Sequence, residues 1–162
     1  MNIRTLTAAA MFMSLSAVGG MLKLPVGPSS IAFDSFPALV AVLFLSAPVA
    51  GIVGAGGHLL SALYGGMPLG PFHFLIAAEM FIVVFGFAKL NEIGIPGLKW
   101  LFFVLGNGII AAVPFYFLLS PAFFFAAVPG LLLAAAGNAL AAGLVLPVLL
   151  NRKSRDKTCG MH

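Results

Sequence analysis

Apolar positions in this chain gather into long unbroken runs, separated by short breaks rich in proline and glycine. Runs such as LVAVLFLSA and FIVVFGFA lack the every-second-residue alternation that a membrane β-barrel strand requires. The breaks are KLPVGPSSIAFDS, Ala47-Pro48, GGMPLGP and NEIGIPG. They divide the chain into six predicted helical spans, residues 5–22, 36–46, 49–64, 72–89, 98–119 and 129–150. The sixth is started at Pro129 because proline suits a first helical turn. The preceding SPAFFFAAVP is apolar but carries Pro121 and Pro129, so the pattern alone does not assign it. The polar tail NRKSRDKTCGMH is expected to fray.

Composition turns this pattern into a class. The chain is 62% hydrophobic and only 7% charged over 162 residues, with mean hydropathy +1.16. A soluble domain of this size has no interior large enough for that much apolar surface. At ~20 residues per crossing of a bilayer core, the length fits about six crossings. The expected fold is an all-α integral membrane protein, a compact bundle of six transmembrane helices over residues 1–150, with a basic tail at 151–162.

Charge sets the orientation. With the N-terminus inside, Arg4, Lys89, Lys99, Arg152, Lys153, Arg155 and Lys157 are cytoplasmic and only Lys23 lies outside. The reverse orientation would invert that split, so the chain is read as N-in and C-in. The basic tail is then a topology anchor, not a nucleic-acid surface. Residues 1–20 superficially resemble a secretory signal, but no clear A-x-A site precedes Lys23. Cys159 is the single cysteine, so no disulfide is expected within the chain.

No G-x-x-x-x-G-K-[ST], H-E-x-x-H or G-x-S-x-G pattern occurs, so neither a cofactor nor hydrolytic chemistry is indicated. GAGGH at residues 54–58 lies within an apolar span, where glycines serve close helix packing. Ionisable side chains inside spans are costly and mark candidate functional sites. His58 lies seven residues from the outer end of its span, ~10 Å at 1.5 Å per residue. Glu79 and Asn138 fall at similar depth on two other spans, and Asn107 lies nearer the midplane. A network that only locks the helices together is the competing reading for each. Glu79 is expected to anchor a ligand or to pair with His58. His73 stands at the outer entrance of the fourth span, off the face of Glu79. A metal site is not expected, since no i, i+4 ligand pair is present. Lys23 and Asp34 bracket the first outer loop, and Tyr64, Phe72 and Phe123 to Phe125 add aromatic surface at that level. On the first span Thr7, Ala10, Ser14 and Ala17 form a stripe of small residues that lets another helix approach closely.

The segment KLPVGPSSIAFDSFPALVAVLFLSAPVAGIVGAGGHLL, with the small-residue stripe before it, resembles the substrate-binding (S) components of energy-coupling factor transporters, the vitamin importers of prokaryotes. That resemblance implies residence in a prokaryotic plasma membrane and a pocket open to the exterior. It also implies partnership with a transmembrane T component and two ATPase subunits. The family's A-x-x-x-A docking motif maps onto Ala10 and Ser14, with serine replacing the second alanine. GGHLLSALYGGMPLGPFHFLIAAEM is similar to the group assigned to α-ribazole, the lower-ligand nucleoside of cobalamin salvage; riboflavin is the runner-up. The candidate binding residues are Lys23, Asp34, His58, Tyr64, Phe72, His73, Glu79, Asn107 and Asn138. Two other functions compete: a self-sufficient proton-coupled carrier using Glu79 and His58, and a membrane scaffold without a ligand.

Overall fold

The computed structural model describes residues 2–26 and 29–159, without the side chains of residues 23–31, 96 and 152–159. Helix α1 (Ile3–Met21) starts where the Asn2 side chain accepts a hydrogen bond from the Thr5 N–H at 2.8 Å. Two short antiparallel strands follow, β1 (Lys23–Val26) and β2 (Ser29–Ala32), paired from Lys23↔Ala32 to Val26↔Ser29. The sequence pattern gave this segment as an irregular loop. A two-stranded ribbon has only edges, so Pro25 is tolerated although it cannot donate to the ladder.

Helix α2 (Phe36–Ala41) is only six residues long, shorter than the span expected over 36–46. Helix α3 (Ala47–Tyr64) and helix α4 (Phe72–Ile93) form an antiparallel pair. Gly51 meets Phe81 and Gly54 meets Val84 across their contact, so Gly54 of GAGGH does serve close packing. α3 ends in a Schellman motif, in which Met67 N–H bonds Ala62 O at 2.8 Å and Gly66 N–H bonds Leu63 O at 3.1 Å. α4 runs past Lys89 to Gly94, which ends it in the left-handed conformation at φ 82°.

The expected fifth span is broken. Helix α5 (Pro96–Gly108), a 3-10 turn (Ile110–Ala112) and helix α6 (Val113–Leu118) share one apolar stretch. Pro114 has no N–H to continue the ladder, and Gly106 and Gly108 weaken the turn before it. Helix α7 (Pro121–Cys159) begins eight residues before the expected Pro129. Its start is written as Ser-Pro: the Ser120 hydroxyl accepts from Phe123 N–H at 3.1 Å, and Pro121 occupies the first turn. Pro129 and Pro147 lie inside this helix. The tail does not fray into coil; residues 151–159 stay helical because no glycine or proline interrupts them before Gly160.

Among the described residues, five stretches are long and apolar enough to cross a membrane: α1, α3, α4, Gly97–Leu118 and Pro121–Asn151. The protein is thus a multi-pass, all-α membrane bundle, with the short α2 and the turn after it leading into α3. Gly20 packs against Ser61 and Gly57 against Ser16, so α1 and α3 run parallel. Gly108 meets Leu132 and Gly143 approaches Trp100, so α5 and α7 run antiparallel. These directions put both ends of the chain on one side of the bundle. α2 occupies the centre: Ala38, Leu39 and Ala41 are fully buried, as are Val53, Val84, Phe87, Phe103 and Ala142 around it.

The glycine contacts generate a paired test. A Cβ at Gly57 would lie 2.5 Å from Ser16 Cβ, whereas one at Gly97 meets nothing within 4 Å. Gly57→Val should lower stability in detergent by ~1–3 kcal/mol, the usual cost of overpacking, and Gly97→Ala should leave the melting temperature unchanged or slightly raised. Equal melting of the two variants would contradict this packing.

Candidate functional site

Between the C-terminal end of α3, the N-terminal end of α4, the α5–α6 break and the first half of α7 lies a cavity of about 340 Å³. That volume is at the small end of the range for sites that hold a small organic molecule. Its polar lining is drawn from several elements: Asp34 and Ser35 precede α2, His58 and Ser61 come from α3, and His73 stands in the first turn of α4. Asn107 and Asn138 reach it from α5 and α7. The apolar and aromatic lining includes Ala111, Ala112, Phe115, Phe123, Ala127 and Leu131. Pro68 and Leu69 of the α3–α4 loop line its edge.

Two of the polar lining residues meet in a contact that sequence reasoning did not foresee. His58 Nε2 and His73 Nδ1 are 3.1 Å apart, with ring centroids at 5.3 Å. His58 Nδ1 faces Asp34 Oδ2 at 3.7 Å, an electrostatic contact longer than a hydrogen bond. Ser35 Oγ donates to Asp34 Oδ1 at 3.2 Å, and Leu69 N–H donates to His73 Nε2 at 3.4 Å. The readable signal was the hairpin: two histidines fifteen residues apart, on helices joined by the seven-residue GGMPLGP, meet when those helices pack antiparallel.

Glu79 is elsewhere. It is not among the residues lining the cavity, and the expected partnership with His58 does not form. Six residues beyond His73, a helix has turned by ~600°, which directs the two side chains to different faces. Glu79 shares a stripe with Val83 and Gly86, which pack on Gly106 and Phe102 of α5. Its Oε2 is buried with no hydrogen-bond partner among the described residues.

The remaining candidates divide. Asn138 is only 1% exposed and its amide is committed to the fold: Nδ2 donates to Ala32 O at 2.7 Å and Ala134 O at 2.8 Å, and Oδ1 accepts from Phe36 N–H at 2.6 Å. Tyr64 is 67% exposed and does not line the cavity. Phe72 also stands outside the lining, packing edge-to-face on Phe115 with centroids 5.8 Å apart. The Lys23 side chain lies outside the described residues. Among the described residues no group of three His, Cys, Asp or Glu is placed to hold a metal ion. On α1, Ala10 and Ser14 are exposed on the outer surface while Ala17 turns inward. The Ser14 hydroxyl folds back onto Ala10 O at 2.9 Å, which keeps that surface smooth.

Comparison with protein-family models, with curated proteins and with solved structures finds no match to this chain.

The two asparagines make opposite predictions. Asn138→Ala should lower stability by ~1–3 kcal/mol, because Phe36 N–H and Ala32 O lose a partner away from water. Asn107→Ala should leave the melting temperature near wild type. Thermal melts in detergent decide between them, and a harmless Asn138→Ala would contradict its role as a strut.

Proposed function

We propose that this protein is the membrane-embedded capture subunit of an energy-coupling factor importer, taking up a vitamin or vitamin precursor from the outer side of a prokaryotic plasma membrane. The observation that carries the reading is the cavity at the end of the bundle away from the chain's two ends, lined by both polar and apolar-aromatic side chains. Such a cavity suits a ligand that joins a hydroxylated group to a flat ring. The sequence resemblance points to the same chemistry and ranks α-ribazole first and riboflavin second. Asp34 and Asn107 are the groups that meet the hydroxyls, and Phe115 and Phe123 flank the ring. The outward-facing Ala10 and Ser14 support docking of a transmembrane T component, whose ATPases supply the energy. No enzymatic activity is assigned to the chain itself.

A second reading, a self-sufficient proton-coupled carrier, draws on the contiguous Asp34, His58 and His73 and on the buried oxygen of Glu79. Uptake by proteoliposomes containing this chain alone would favour it over the capture subunit.

Calorimetry with α-ribazole and riboflavin tests the main reading, with α-ribazole expected to bind more tightly. Asp34→Asn should weaken binding by ~1.5–3 kcal/mol, the scale of a hydrogen bond to a charged group, or roughly 10–150-fold. Glu79→Gln should leave affinity unchanged. Absence of binding by both compounds would remove this ligand class, and full affinity in Asp34→Asn would remove Asp34 from the site.

A further inference from the structure

Asn107 is the middle residue of a Gly-Asn-Gly triplet, residues 106–108, at the end of α5. A Cβ on Gly106 would lie 3.2 Å from Val83 of α4, and one on Gly108 would lie 2.6 Å from Leu132 of α7. The two glycines thus let α4 and α7 close in on either flank of α5. Successive helical residues are turned by ~100°, so a side chain between those two contacts points into the space separating α4 from α7. That space is the cavity, which Asn107 lines together with Met80 of α4 and Leu131 and Ala134 of α7.

The Asn107 amide makes no hydrogen bond to any described residue, and its polar atoms are not sealed within the protein. Asn138 is the contrast, an asparagine whose donor and acceptor are both consumed by the fold. Asp34 accepts from Ser35, and His58 and His73 meet each other. A residue that locks helices together needs an interhelical bond, and Asn107 makes none among the described residues. An amide without a partner in an apolar span is unfavourable, and this one faces a cavity with room for a partner.

We propose that Asn107 is the specificity-determining residue of the cavity and that it recognises two adjacent hydroxyls of the ligand. The inference rests on the reading of the cavity as a site for a hydroxylated, flat-ringed molecule, and it names the part of that molecule that is selected. A carboxamide offers a carbonyl acceptor and N–H donors side by side. One hydroxyl donates to Oδ1 while its neighbour accepts from Nδ2, so a vicinal diol satisfies both ends at once. Ala111 and Phe115, four and eight residues further along the same stretch, also line the cavity. They leave a gap and an aromatic face for the ring beside the diol. A ligand lacking either hydroxyl leaves one end of the amide unpaired, and sites of this kind reject such analogues strongly.

The test is calorimetry on the full chain in nanodiscs. The probes are α-ribazole, or riboflavin if it binds more tightly, and analogues of that compound lacking one or the other of two adjacent hydroxyls. Wild-type protein should bind each analogue about tenfold more weakly than the parent, or worse, the effect of one lost hydrogen bond. Equal affinity for parent and analogues would overturn the inference with no variant needed. In Asn107→Leu, similar in shape but without donor or acceptor, the parent should lose about tenfold or more, and its advantage over the analogues should vanish. Asn107→Ala gives the same readout should the leucine disturb packing. A preference for the diol that survives in both variants would refute the role of Asn107. Thermal melts of the same samples separate a structural role, which would lower stability and leave that preference intact in the folded fraction. If neither α-ribazole nor riboflavin binds, the proposed function fails and the inference falls with it; binding without a diol preference sinks the inference alone.

Discussion

A six-residue helix in the middle of an apolar bundle has nowhere to place its first backbone N–H groups. Water is excluded there, and each unsatisfied group costs several kcal/mol in a hydrocarbon setting. Asn138 solves this for α2: its carbonyl accepts from Phe36 N–H while its amide holds Ala32 O at the end of β2. One side chain on α7 thus fixes both the strand pair and the central helix. Asp34 and Ser35 lie between these two anchor points, so the clamp also sets the position of the acceptor in the cavity wall.

With α2 held at the centre, the long helices pack around it through small residues. Glycines on α1, α3, α5 and α7 admit Ser61, Ser16, Val84, Leu132 and Trp100 at close range. Packing of this kind replaces the hydrophobic drive that is missing between helices in lipid. The cavity forms where packing is interrupted: α5 ends at Gly108, the 3-10 turn carries Ala111 and Ala112, and α7 restarts only at Pro121. Irregular backbone at membrane depth is tolerated where it lines a cavity or is buried in protein, and here it does the former.

The class of the protein and its helix count to within one element were legible in the sequence, because unbroken apolar runs encode them directly. The interruptions were harder to read. Pro114 within an apolar run looks the same whether a helix kinks or breaks, and Ser120-Pro121 was a helix start masked by the later Pro129. Within the site, Asp34, His58, His73 and Asn107 line the cavity as candidates chosen from sequence. Glu79 was singled out by the cost of burying a carboxylate, yet cost does not give direction; its angular offset from His73 does. Asn138 was recognised as buried and polar, but only the fold reveals that its amide is already fully used.

The central claim is that the cavity beside α2 holds a hydroxylated, flat-ringed molecule. It is tested most directly by mass spectrometry of the small molecules that accompany the detergent-extracted protein. The account predicts one such compound in near-stoichiometric amount with the wild type. It predicts loss of that compound from a folded Ala111→Trp variant, whose indole fills the cavity from the 3-10 turn. An empty wild-type protein, or a ligand retained equally by the filled variant, would contradict it.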